Sequence, residues 1–137
     1  RSQRFGKYRM TWWDYGDERT VPQPMASALM LRMAALGEVG VFDEAFPIFF
    51  NDVDLCLRLW EAGWEVWFTP AATVVHAHAA STSQARLRMI RESHRSWRLF
   101  YRKHYRGRVS PVAYAAALGL LAVAEAVRVV AAVVRRG

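Results

Sequence analysis

Apolar positions recur at two different periods along this chain, and the change of period divides it. Residues 51–62 and 83–105 place apolar side chains three and four positions apart, the spacing of one helix face. In the first stretch Val53, Cys56, Leu57 and Trp60 make the predicted face. Asp52 and Asp54 fall in its first turn, where the helix dipole favours negative charge, and Gly63 stands where helices end in a left-handed residue. In the second stretch Leu87, Ile90, His94, Trp97, Tyr101 and His104 form one stripe. Arg88, Arg91, Arg95, Arg98 and Arg102 form an adjacent basic stripe at the same spacing. Gly107, Ser110 and Pro111 read as a stop, a cap and a first-turn proline, opening an Ala/Val/Leu-rich helix over residues 112–134.

The extended pieces are shorter. Residues 26–31 predict a buried strand, and residues 64–69 a strand stopped by Pro70. Residues 73–76 predict a second β-branched piece that brings His76, and His78 on the same face, to a strand end. Residues 32–38 predict a short helix with Gly37 and Gly40 closing it, and residues 1–20 a loop. No internal repeat is present.

Composition bounds the picture. The chain has 137 residues, 53% hydrophobic and 13% aromatic, enough for one domain with a buried core. Its one cysteine, Cys56, excludes an internal disulfide and a multi-cysteine zinc site, and its place in an apolar stripe predicts a buried, inert thiol. Six tryptophans are many for this length, and Trp12-Trp13 fit either a sugar-binding wall or core packing, the commoner role. The chain begins at Arg1 with neither Met nor a signal-peptide pattern, and its first residues read as mid-domain, so the expectation is a piece of a longer protein.

Charge is concentrated. Residues 86–108 hold nine Arg or Lys against one acid, Glu92, a balance of +8 in a chain whose net charge is +7. Such a patch points to an anionic partner, lipid head groups or nucleic acid. The apolar helix after it would span roughly 35 Å at about 1.5 Å per residue, enough to cross a bilayer. Glu125 and Arg128 interrupt it, each costing about 2.5–3.5 kcal/mol at mid-membrane. Pairing with each other at i, i+3 would lower that cost. The expectation is a helix lying in the membrane plane or packed on a partner.

The chemistry-bearing stretch is Asn51-Asp52-Val53-Asp54-Leu55-Cys56-Leu57-Arg58, where the aromatic run Phe46-Pro47-Ile48-Phe49-Phe50 gives way to helix. A carboxylate at a helix start beside a pocket wall is placed to accept a proton, which makes Asp52 a candidate general base. His76, 24 positions on, is a candidate metal ligand. Asp52 and Asp54 do not form a metal-chelating pair, because positions i and i+2 of a helix point about 200° apart. Asp54 is expected only to support the helix. Asp43 fits a turn cap or an acceptor contact equally, and Ser81-Thr82 fit a cap for the following helix.

Four pieces in order then resemble the C-terminal half of the GT-A catalytic domain of family 2 glycosyltransferases, most closely its rhamnosyltransferase-like members. They are Gln23-Pro24-Met25-Ala26-Ser27-Ala28 with the four residues after it, Val39-Gly40-Val41-Phe42-Asp43-Glu44, the stretch 51–58, and His76-Ala77-His78-Ala79-Ala80-Ser81-Thr82. The resemblance covers residues 21–82. It implies an α/β fold in which residues 1–82 are the C-terminal half of a Rossmann-like nucleotide-diphospho-sugar transferase domain; residues 83–137, beyond the resemblance, are expected from their period and charge to be two C-terminal helices that associate with membrane. It further implies a nucleotide-sugar donor, a glycan or lipid-linked acceptor, a divalent metal (Mg²⁺ or Mn²⁺) and an inverting displacement. Asp52 matches the family's catalytic base and His76 a residue of its metal shell. Asp43, Asn51, Ala26 and His78 match positions around the substrates. Asn51 stands where Glu is usual, Ala26 where Gly is frequent, and Val41 in place of the second Gly of its turn.

This reading implies action at the cytoplasmic side of the cell membrane, either peripherally or through a C-terminal membrane helix. The nucleotide-binding half, with its metal-binding DxD motif, is not among these residues, so the isolated chain is expected to be inactive. The competing reading is a non-enzymatic basic module binding nucleic acid or anionic membrane through residues 86–108, with Trp97, Tyr101 and Tyr105 stacking on bases. Nucleic acid is disfavoured, because such a module has no use for the four motifs.

Overall fold

The computed structural model describes residues 10, 12–75 and 86–134. His76, His78 and Ser81-Thr82 lie outside the described residues, as does the start of the helix expected from residue 83. In chain order the elements are β1 (Arg19–Thr20), a 3₁₀ turn (Ala26–Ala28), α1 (Met33–Val39), α2 (Asn51–Glu61), β2 (Trp67–Phe68), α3 (Arg86–Tyr105) and α4 (Pro111–Val134). They separate into two compact units, one drawn from Arg1–Phe42 and Asp52–His76, the other from Asp43–Asn51 and Ala77–Gly137.

The first unit closes around Trp13, Val21, Ala35, Leu55, Cys56, Leu59 and Val66, all buried. Trp13 therefore packs in the core, as tryptophan commonly does, while Trp12 is partly exposed. β1 pairs with β2 antiparallel, Arg19 opposite Phe68 and Thr20 opposite Trp67, and the Val21 N–H extends the ladder to the Val66 carbonyl at 2.9 Å. β1 lies inside the stretch expected to be loop. Its two residues carry no period of their own, and only pairing with a distant partner makes them a strand. β2 is shorter than the predicted 64–69.

Two further expectations are corrected. Residues 26–31 are not a buried strand: Ala26–Ala28 form the 3₁₀ turn and Met30 is 97% exposed. A run of apolar residues does not distinguish a strand from a turn when no neighbouring strand takes up its N–H groups. Residues 73–75 form no strand either, and Val75 is exposed.

α2 starts as expected and ends in a Schellman arrangement. The Gly63 N–H bonds to the Trp60 carbonyl at 3.1 Å and the Trp64 N–H to the Leu59 carbonyl at 2.9 Å, with Gly63 at φ +85°. Its buried face is not the predicted one. Asp54, Leu55, Cys56 and Leu59 are buried, whereas Trp60 is at the surface with its indole N–H on the Pro22 carbonyl at 3.1 Å. Asp54, expected to support the helix from its first turn, is fully buried, which a charged residue seldom is unless paired.

The second unit is built on α3 and α4. Tyr101 and Tyr114 stack across the pair with ring centroids 5.4 Å apart. Ser110 caps α4, its Oγ accepting from the Ala113 N–H at 3.2 Å. Residues 43–51 pack onto α3, Phe50 placing its ring 5.4 Å from Phe100 and 6.0 Å from Trp97. Phe50 takes φ +69°, a left-handed conformation uncommon for a bulky residue. Glu125 and Arg128 do not pair with each other as expected. Each reaches α3 instead, Glu125 forming an ion pair with Arg98 and Arg128 lying 3.4 Å from His94 Nε2.

Candidate functional site

Asp52 stands in the first turn of α2, half-buried, and both of its carboxylate oxygens meet backbone donors. Oδ2 accepts from the Ala26 N–H at 3.2 Å, and Oδ1 from the Val53 N–H at 2.8 Å. The first of these bonds spans 26 positions of sequence and fixes the 3₁₀ turn against the helix start. A carboxylate accepts about four hydrogen bonds in all, so these two orient the group without exhausting it. Two residues singled out from sequence, Asp52 and Ala26, are thus in direct contact.

One turn further along, Cys56 is buried and its thiol is pushed up to about 11, first by loss of solvent and then by the nearby Asp52 charge. It is the inert thiol expected from its place in the stripe.

Asp54 and Arg58 carry a part of this unit that sequence reading did not find. Arg58 Nε donates to Asp54 Oδ2 at 2.9 Å, with the carboxylate fully buried. The same guanidinium donates to the carbonyls of Val39, of Gly40 at 3.3 Å and of Val41 at 2.7 Å. One planar fork therefore ties the end of α1 and the turn after it to α2. Gly40 enables this turn. It sits at φ +81°, and a Cβ there would lie 3.7 Å from the guanidinium in a backbone conformation that side chains disfavour. The available signal was the i, i+4 spacing of Asp54 and Arg58.

In the second unit, Asp43 has its oxygens on two partners. Oδ1 accepts from the Ala45 N–H at 2.9 Å, a turn cap, and Oδ2 meets Lys103 Nζ at 2.6 Å. The same ammonium lies 5.6 Å from the ring centroid of the buried Phe46. Asn51 opens α2 and is half-buried. His76 and His78 lie outside the described residues. Among the described residues no three His, Cys, Asp or Glu side chains converge as a metal would need, so those residues do not by themselves supply a metal site.

Comparison with known proteins gives this geometry a context. The chain is 37% identical over 90 residues to the N-acetylglucosaminyl-diphospho-decaprenol L-rhamnosyltransferase of Mycobacterium tuberculosis, an alignment covering 66% of this chain and 29% of that protein. It is 42% identical over 59 residues to the pre-mycofactocin glycosyltransferase of the same organism, covering 43% of this chain and 12% of that one. The chain thus spans less than a third of the length of either. No family model matches it, and no solved structure does. The likeness to family 2-type glycosyltransferases, read from four short motifs, holds across these longer alignments.

Proposed function

We propose that this chain is the acceptor-side part of an inverting glycosyltransferase of GT-A fold, and that Asp52 is its general base. The observation that carries the reading is the carboxylate of Asp52, oriented by two backbone N–H groups at a helix start, in a chain similar to two glycosyltransferases.

A sugar hydroxyl is a poor nucleophile at neutral pH. In the proposed step Asp52 takes the hydroxyl proton as the acceptor oxygen bonds to the anomeric carbon, and the bond from that carbon to the diphosphate breaks with its electron pair. The nucleoside diphosphate leaves, and the configuration at carbon inverts. Backbone donors on Asp52 aim the carboxylate and keep it from rotating away. A divalent ion, Mg²⁺ or Mn²⁺ with His76 among its ligands, would neutralise charge on the departing diphosphate when bound. The four matching motif positions make Asp43, Asn51, Ala26 and His78 candidates for substrate contact.

Similarity to a rhamnosyltransferase whose name specifies a decaprenol-linked acceptor favours rhamnosyl transfer to a lipid-linked glycan, and so action at a membrane surface. In this reading the donor nucleotide is held by a nucleotide-binding portion that the matched stretch, 29% of the rhamnosyltransferase's length, does not include. The nucleic-acid reading has no support from either relative. The test is reconstitution: the protein carrying its nucleotide-binding portion, given a nucleotide-linked deoxyhexose and an N-acetylglucosaminyl-diphospho-polyprenol, should release nucleoside diphosphate and extend the lipid by one sugar. Failure across a panel of nucleotide sugars and lipid acceptors contradicts the proposal.

A further inference from the structure

The outer side of α4 is left uncovered by its own unit. Tyr114, Leu121, Glu125 and Ala132, spaced along one line of the helix, are the side turned to α3. On the opposite side Val112, Leu120, Val123, Val127, Val130 and Val134 are each more than half exposed. α4 has just two charged residues, Glu125 and Arg128, and α3 engages both. The result is an uncharged face running the whole length of a helix of 24 residues, about 36 Å at 1.5 Å per residue. An apolar surface of that extent marks contact with a membrane or a partner.

Charge identifies the occupant. At about 100° per residue, Arg88, Arg91, Arg95 and Arg102 form a row on α3 bordering the line His94, Arg98 and Tyr101 that meets α4. All four are exposed. A basic row beside an uncharged apolar face complements an anionic lipid surface: hydrocarbon for one, phosphates for the other.

Packing also sets the orientation. α4 is long and apolar enough to cross a bilayer taken alone. With α3 packed along it, crossing would draw that basic row into the hydrocarbon, where charged side chains are expelled. Lying flat avoids this. Packed helices sit about 8–10 Å apart, so α4 in the outer acyl layer leaves α3 at head-group height.

We infer that α3 and α4 form an in-plane anchor, α4 burying its outer face in one leaflet of an anionic bilayer while the α3 arginines hold lipid phosphates. The inference deepens the membrane-surface part of the proposed function. It is tested without glycosyl transfer, so either can fail while the other stands.

The experiment uses the full 137-residue chain and vesicles of phosphatidylcholine with or without phosphatidylglycerol. Single cysteines at Val112, Val123 and Val134 carry an environment-sensitive fluorophore, the native Cys56 being buried. The chain should float with the anionic vesicles, all three labels reporting one shallow depth in the outer leaflet. V123D/V127D, with helix content unchanged by circular dichroism, should lose binding at least tenfold. Replacing Arg88, Arg91, Arg95 and Arg102 by Gln should remove the preference for phosphatidylglycerol. A deep Val123 label between Val112 and Val134 labels on opposite leaflets would overturn the in-plane anchor. So would absence of vesicle binding with Val123 protected in a dimer of the chain, or flotation of the Gln variant equal to the parent.

Discussion

The Ala26 N–H donates to Asp52 Oδ2 at 3.2 Å, so a turn expected to be a strand instead orients the candidate base. The relationship gives Ala26 a role its side chain does not. The position contributes a backbone donor, and residue identity there matters mainly for letting the chain approach the carboxylate.

Removing that donor alone tests the relationship. Met25 precedes the turn at φ −72° and ψ 133°, the extended conformation that a following proline requires. Ala26→Pro therefore deletes the N–H at a position whose backbone accepts proline. A hydrogen bond to a charged group contributes about 1.5–3 kcal/mol, and urea unfolding of the variant should show a loss of that order. Stability equal to the parent's would mean the bond contributes nothing.

Arg58 is predicted to hold the first unit more firmly than its place on a helix surface implies. Removing one partner of a buried ion pair costs about 3–5 kcal/mol. Arg58→Ala should fall in that range, because it removes the countercharge from the buried Asp54 and frees the carbonyls of Val39, Gly40 and Val41. Arg58→Lys keeps the charge but loses the fork, and should recover only part of the loss. Denaturant titration of the two variants against the parent checks the order. A lysine variant as stable as the parent would show that charge alone suffices.

His94 makes the second unit sensitive to acid. Burial lowers its pKa first, the Arg128 charge lowers it next and Arg98 adds to this, while Glu125 opposes them. The folded pKa thus lies below the unfolded value of about 6.5. Stability from the neutral ring is complete above that value and is lost as pH falls through the depressed folded pKa, since the unfolded chain then binds the extra proton. The midpoint for urea unfolding of α3 and α4 should fall between pH 7.5 and pH 5. His94→Gln should flatten that fall, and an unchanged slope would assign the acid sensitivity elsewhere.

The helices were legible in the sequence, and of the two strands only β2 was, as the longer stretch 64–69. Period and caps placed α2, α3 and α4, because a helix satisfies its own backbone and its signals are local. β1 has two residues and exists only by pairing with β2 across some 47 positions, which no local pattern encodes. Within α2 the helix was found but its buried side was misjudged, because Asp54 is buried with a partner and hydrophobicity alone does not reveal a pair. In the candidate site, Asp52 and Ala26 were named from residue type and motif, while their contact, the Arg58 fork and the Asp43 to Lys103 pair depend on tertiary approach. Glu125 and Arg128 show the same limit: their i, i+3 spacing invited a local pair, and α3 supplied different partners.

The central claim is that Asp52 takes the acceptor proton, and one comparison tests it most directly. In the protein carrying its nucleotide-binding portion, transfer and nucleotide-sugar binding should be measured side by side for Asp52 and Asp52→Asn. Asparagine is close to isosteric but cannot take the proton. The account predicts a fall in kcat of about 10²–10⁴-fold, the usual contribution of a general base, with donor affinity unchanged. Turnover within a few-fold of the parent would contradict it.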